Sequence, residues 1–273
     1  MRDILPGMNL LRRLADKTGR DSLASKLRRK RFRLFKELIS RVDKKPLSIL
    51  DVGGTLDFWK RMDFLAESGG VELTLLNIFK AESHYPHVTC VVGDGSDVKE
   101  FHDGQFDFVF SNSVIEHVGD FAVQKRMADE VRRVGNGYFV QTPNLYFPIE
   151  PHFLFPFFQF MPLGLKALLL RYFRIGWHWP TKDVQKARKT VGSVRLLRRA
   201  ELAVLFPDGR IYEEKLFGLT KSFIAFRPWS LERERDGEWR GAPENHAARQ
   251  RRRAGGSKER FARPGADGGR RMA

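Results

Sequence analysis

The stretch "ILDVGGTLDFW" (Ile49 to Trp59) places two glycines directly after an apolar run and directly before a helical pattern. A residue without Cβ lets the backbone come close to a ligand or to another chain segment. In an open parallel sheet the ligand lies beyond the carboxyl ends of the strands, where the strand order reverses. Gly53 and Gly54 stand at such an end. A dinucleotide fingerprint would need glycines at 53, 55 and 58, and Thr55 and Phe58 occupy the last two positions. A pyrophosphate cradle is therefore not supported, and without a following G-K-[ST] neither is a P-loop.

The surrounding chain supplies the sheet. "LSILDV" (47–52), "VELTLLN" (71–77), "VTCVVGD" (88–94), "FDFVFSN" (106–112) and "GYFVQTP" (137–143) are short, mostly apolar runs. Helical patterns separate several of them. One is expected around Leu56 to Ser68, and another carries Val123, Met127, Val131 and Val134 on its inner face and stops at "GNG". Strands that are apolar throughout and alternate with helices predict a parallel sheet covered on both faces. After residue 144 an aromatic, proline-punctuated stretch runs to about Pro180, and a helix is expected near 193–205. "RIYEEKLFG" and "SFIAFRP" then read as an antiparallel pair.

Charge is uneven. The 273 residues carry 49 Lys and Arg against 33 Asp and Glu, a formal +16. Residues 1–46 hold 15 basic and 5 acidic side chains, and 231–273 hold 12 and 7, so the middle is nearly neutral. A nucleic-acid-binding core would concentrate basic charge in the folded part, so nucleic acid is demoted as a partner. The tail 230–273 is Arg/Gly/Ala-rich and lacks the apolar residues needed to order it. Residues 22–43 form a basic amphipathic helix. Leu27, Leu34, Phe35, Leu38, Ile39 and Val42 line its apolar face, and Arg28, Arg29, Lys30, Arg31 and Arg33 are assigned to the opposite one. That cationic face suits either solvent or an anionic membrane surface. Cys90 is the single cysteine, which excludes an intramolecular disulfide. The start lacks an apolar stretch of signal-peptide length, so a cytoplasmic location is expected, with peripheral attachment at the inner membrane face as an option.

"LDVGG", "GDGSD", "FDFVFSNSVIEHV" and "YFVQTPN" come in the order and spacing of the class I S-adenosylmethionine-dependent methyltransferases, and the chain resembles that family, of the type 11/23 kind, over roughly 47–228. The resemblance implies an α/β, Rossmann-like, doubly wound sheet of seven mostly parallel strands, with an antiparallel last strand and a helical lid insertion. It divides the chain into a basic N-terminal segment (1–46), a methyltransferase domain (47–229, with 144–192 as the lid) and the tail. It also implies S-adenosylmethionine as cofactor. The family's acidic-x-Gly-x-Gly motif is matched by Asp51 and Gly53, with Thr55 in place of the second glycine. Gly54 would supply the close approach and the Thr55 hydroxyl would reach the ligand's carboxylate. Asn77 stands where relatives carry an acid for the ribose hydroxyls. Ile78 and Phe79 would flank the adenine, and Asp94, followed by Gly95, would accept from its exocyclic amine.

Methyl transfer to a hydroxyl needs an aligned acceptor and a base. The end of the fourth strand, Ser111, Asn112 and Ser113, would border the reaction. His117 is the candidate base, as part of a Glu-His pair similar to that of quinone-pathway O-methyltransferases; a histidine that merely packs at a helix start is the competing reading. Tyr146, Glu150 and His152, with Ser113, are the candidate acceptor contacts. Glu116, His117, Glu150 and His152 have ligand chemistry but no metal-motif spacing, so no metal is expected. The expected activity is methylation of a small-molecule acceptor, an O-methylation of a saccharide, a quinone-like compound or a lipid-linked substrate. A non-catalytic cofactor-binding scaffold and an RNA methyltransferase are the alternatives.

Overall fold

The computed structural model describes residues 8–16, 22–67 and 70–228. Seven strands form one sheet: β1 (Leu47–Val52), β2 (Val71–Asn77), β3 (Val88–Val92), β4 (Phe106–Asn112), β5 (Gly135–Pro143), β6 (Arg210–Leu216) and β7 (Leu219–Arg227). Their spatial order is β3-β2-β1-β4-β5-β7-β6. β1 to β5 are parallel, and β7 runs against both β5 and β6. The expected doubly wound sheet with an antiparallel closing strand is what forms. β1 lies between β2 and β4, so the order reverses there and opens the crevice the glycines border.

Period-two alternation gives each sheet face its own cover. Leu50, Val52, Val109, Tyr138 and Val140 pack with α5 (Phe121–Val134) and α8 (Arg199–Leu205) through Met127, Val131, Leu202 and Leu205. On the other face Phe108, Phe110 and Phe139 meet Phe35 of α2 (Leu23–Ile39). Phe32 of the same helix lies edge-on to Phe58, Trp59 and Phe64. This aromatic layer fixes α2 over the ends of β1 and β4. The preceding helix α1 (Met8–Ala15) is tied down by Arg12, whose Nε donates to the Gly176 carbonyl at 2.8 Å.

Several boundaries differ from the sequence reading, each for a local reason. The helix expected over 56–68 is two pieces, α3 (Leu56–Arg61) and α4 (Phe64–Glu67), broken where Asp63 takes a positive φ of 54°. The third strand stops at Val92, because Asp94 folds back in a turn onto Ser96. α5 stops at Gly135 as expected, but β5 also begins there, two residues before the expected Gly137, and an added Cβ at Gly135 or Gly137 would press on Val109 or Phe108 at 2.6 or 2.7 Å. The two glycines therefore let β5 lie close on the side chains of β4. The helix expected near 193–205 is α8, which starts only at Arg199, and α7 (Val184–Gly192) precedes it. The closing hairpin turns through Phe217 and Gly218, both at positive φ, the geometry a two-residue hairpin turn demands.

Residues 144–192 are inserted between β5 and α8. They form a two-residue ladder (Ile149–Glu150 with Phe155–Pro156), a 3-10 turn, α6 (Leu163–Tyr172) and α7. Phe153, Phe158, Ala167, Leu170, Ile175, Ala187 and Val191 make a core of their own. Among the described residues no helix is long and apolar enough to cross a membrane. The expected disordered tail lies outside the described residues.

Candidate functional site

A cavity of about 330 Å³ opens at the ends of β1 and β4, and its lining includes Asp51, Gly53, Gly54, Thr55, Asn112 and Ser113. The strand termini and the turn into α3 bring six of the sequence-predicted site residues to one place. The glycines are required first by the protein itself. Gly53 has φ +77°, and a Cβ there would lie 2.5 Å from Val114. A Cβ on Gly54 would lie 2.0 Å from Asp51 Oδ2. Gly54 thus rests on the Asp51 carboxyl. Thr55 holds the position of the missing glycine because it is the N-cap of α3, its Oγ1 accepting from Phe58 N at 3.4 Å.

Asp51 is buried, and its Oδ2 accepts from Trp59 Nε1 at 2.6 Å. Burial raises its pKa to about 8, with the indole hydrogen bond pulling the other way. A cationic ligand group beside it would draw the proton off. Ser113 takes φ 58°, a backbone state uncommon outside glycine, and its Oγ donates to Gln141 Oε1 at 2.9 Å.

Arg28, Asp57, Phe58, Arg61 and Phe110 also line the cavity, and the sequence reading assigned none of them to the site. Arg28 and Arg31 are corrections to the helix reading. Arg31 is buried, 3.2 Å from Glu214 Oε1, and its Nη1 donates to Asn112 Oδ1 at 2.9 Å. Arg28 has its pKa lowered to about 10 by burial and by the neighbouring Arg31 and Arg61. The cationic cluster of α2 is therefore not one solvated face, since two of its five members turn inward, Arg28 into the cavity lining and Arg31 onto Glu214 and Asn112. The signal lay in the sequence. Arg28 precedes Phe32 by four residues and Arg31 precedes Phe35 by four, so each pair shares one side of the helix.

The expected ribose and adenine residues are arranged differently. The Asn77 amide is engaged by the backbone: Nδ2 donates to the Gly54 carbonyl at 3.0 Å, and Oδ1 accepts from Ile78 N at 2.9 Å. It braces the glycine turn from outside the cavity lining. Ile78 and Phe79 are exposed. Asp94 is exposed too, accepting from Ser96 N and Oγ at 2.9 Å each, and it lines a separate open groove with Arg126 and Arg133. Gly95 sits against Val52, not against the cavity.

A second constellation begins three residues beyond Ser113. Glu116 and His117 lie in a 3-10 turn (Ile115–His117), and His152 comes from the insertion. One donor atom from each lies within 4.8 Å of the others. Glu116 is fully buried, and its Oε2 accepts from Thr142 Oγ1 at 3.0 Å. Its Oε1 is 3.8 Å from His152 Nε2. His152 Nδ1 is 2.6 Å from Glu150 Oε1, while Glu150 Oε2 accepts the backbone N–H groups of His152 and Phe153. His117 is exposed and packs edge-on against His152, ring centres 4.7 Å apart. Glu150 also faces a smaller cavity of about 160 Å³ walled by Phe153, Phe158 and Lys166. Tyr146 points away, 59% exposed and stacked on Phe160.

Residues 53–140 match the family model described as a methyltransferase domain. Among curated proteins, an uncharacterised protein of Mycobacterium tuberculosis is 46% identical over 56 residues, 20% of this chain and 18% of that protein. The chain thus spans less than a fifth of that relative's length. Among solved structures it is similar to a SAM-dependent methyltransferase from Aquifex aeolicus (TM-score 0.44, 12% identity, 80% of this chain and 96% of that one). It is also similar to the Burkholderia thailandensis 1,6-didemethyltoxoflavin-N1-methyltransferase with bound S-adenosylhomocysteine (TM-score 0.46, 11% identity, 80% and 84%).

Proposed function

We propose that this chain, whose residues 53–140 match the model of a methyltransferase domain, is a class I S-adenosylmethionine-dependent methyltransferase that methylates an oxygen of a small-molecule acceptor. The observation that carries the reading is the cavity at the strand-order reversal, with a protonatable carboxyl and arginines in one lining. S-adenosylmethionine, when bound, supplies an electrophilic methyl group on a sulfonium sulfur. The residues present fit it. Gly53 and Gly54 keep the floor bare, Asp51 suits the ammonium of its amino-acid end, and Arg28 and Thr55 suit the carboxylate. Arg31 holds Asn112 in place from above.

His117 is the base in this reading. It is exposed and follows β4 closely, and an imidazole titrates near neutral pH. It would take the acceptor hydroxyl's proton as the new C–O bond forms, leaving the spent cofactor as a neutral thioether. The insertion covers the acceptor, with Glu150 and His152 at its inner edge.

For the finer acceptor class the support is the insertion's outer surface, where Phe157, Phe160, Leu163, Leu168, Tyr172 and Trp179 are all exposed. Such a surface favours an apolar or lipid-linked acceptor over a free saccharide. Of the five clustered cations of α2, Arg29, Lys30 and Arg33 are exposed and would meet an anionic membrane, and their replacement by Gln should abolish sedimentation with anionic vesicles. Equal recovery with neutral vesicles would remove the membrane from the reading.

The test of the activity is calorimetric titration with S-adenosylhomocysteine, followed by methyl transfer from labelled cofactor to fractionated cell extract. Binding with incorporation into an apolar fraction is expected. Absence of binding at millimolar ligand would overturn the reading, and binding without incorporation would favour a scaffold.

A further inference from the structure

We infer that Glu116, His117 and His152 form a divalent transition-metal site beside the cofactor cavity. Two imidazoles and one carboxylate converge there, with donor atoms within 4.8 Å of one another. Ligands about 2.1 Å from a shared ion lie roughly 3.4 Å apart in tetrahedral geometry. The 3.8 Å between His152 Nε2 and Glu116 Oε1 is already close to that. His117 is exposed, so rotation of its side chain can close the remaining gap.

The second observation is the hydrogen bonding around His152. A carboxylate can only accept, so His152 Nδ1, 2.6 Å from Glu150, is the donor of that bond. In neutral imidazole the other nitrogen then carries the lone pair. That lone pair faces Glu116 Oε1, a second acceptor at 3.8 Å. Two acceptors 3.8 Å apart, one buried and one half-buried, can share a cation between them. Glu150 plays the part that carboxylates play behind metal-bound histidines, fixing the tautomer and the ring. It is itself locked by two backbone N–H groups, and Thr142 fixes Glu116 in the same way. The donor set, two imidazoles and a carboxylate with room on the exposed side, suits Zn²⁺, Mn²⁺ or Fe²⁺.

No spacing motif announces this set, because Glu116 and His117 come from the 3-10 turn after β4 and His152 from the insertion. The ion's use, holding an acceptor oxygen and lowering its pKa, rests on the methyl-transfer reading; metal binding does not. If the ion is present, the acceptor proton leaves to water and His117 is a ligand, not the base.

The experiment is titration of chelator-treated full-length protein with Co²⁺, followed by visible absorption, and with Zn²⁺ by calorimetry. One ion per chain is expected, with ligand-field bands from Co²⁺. His117→Ala, at an exposed position, should weaken binding at least tenfold, and Glu150→Gln should weaken it by about 10- to 100-fold. His84→Ala and His87→Ala, in the loop before β3, should leave it unchanged. The proposal is overturned if no ion binds stoichiometrically, or if His117→Ala and Glu150→Gln bind like the parent. In the latter case a proton on His152 is the cation between the two carboxylates. S-adenosylhomocysteine titration of the same sample keeps failure of the metal site distinct from failure of the cofactor reading.

Discussion

The cavity at the ends of β1 and β4 and the Glu116–His152 cluster are neighbours along the chain just after β4, yet they are built in different ways. The cavity is a product of backbone: strand ends, a positive-φ glycine and a capped helix bring Asp51 to Thr55 together within five residues. The cluster is a product of side chains from segments 35 residues apart, Glu116 and His117 on one and His152 on the other, and Glu116 and His152 are each held by a further polar group. A site made by backbone tolerates exchange of exposed side chains but not an added atom in its floor. A site made by paired side chains tolerates small shifts but not the loss of a partner.

The largest expected effect lies where the two kinds of construction meet. Arg31→Ala leaves Glu214 buried without its guanidinium and frees Asn112. Removing one member of a buried ion pair costs about 3–5 kcal/mol. Urea unfolding should show that loss; less than 1 kcal/mol would mean that Lys221 and Ser222 suffice for Glu214. Gly54→Ala comes next, since its Cβ would overlap the Asp51 carboxyl. S-adenosylhomocysteine affinity should fall about 100-fold, roughly 2.7 kcal/mol. Unchanged affinity would show that the floor can give way, and the contrast between the two regions would lose its basis.

A smaller effect tests Asp51. Its folded pKa of about 8 lies above the ordinary 3.8, so between those values the folded chain holds a proton that the unfolded chain has released. Stability from this group is therefore full below about pH 4, falls as pH rises, and levels off above about pH 8. Asp51→Asn abolishes that fall, so its stability relative to the parent should rise by at least about 1 kcal/mol between pH 5 and pH 8.5. Parallel pH profiles would show that the carboxyl is ionised in the folded protein. The smallest effect is expected at Asp94. Exposed and engaged with Ser96, it should on replacement by Ala change cofactor affinity by less than about 0.5 kcal/mol. A loss of 1–3 kcal/mol would mean that cofactor binding recruits Asp94 to a buried hydrogen bond and would enlarge the cofactor half of the site.

Most of the sheet was legible because its signals are local. Five of the seven strands follow from short apolar runs, and the final hairpin from two β-like runs either side of a glycine. A boundary moved where one residue serves two purposes: Gly135 stops α5 and also opens β5, so the strand begins two residues before the expected Gly137. The inward turn of Arg28 and Arg31 was legible in principle from their four-residue offset to Phe32 and Phe35. Charge alone sent them to the solvent side.

By itself, then, the sequence determined the strand order's raw material, the glycine turn and the methyltransferase resemblance, since each rests on residues adjacent along the chain. Only the tertiary structure decided that Arg31 meets Glu214 and Asn112, that Asn77 braces Gly54, and that His152 of the insertion meets Glu116 and His117. Those contacts join segments far apart in sequence, and their geometry is set by how α2 and the insertion pack on the sheet, which no local pattern encodes.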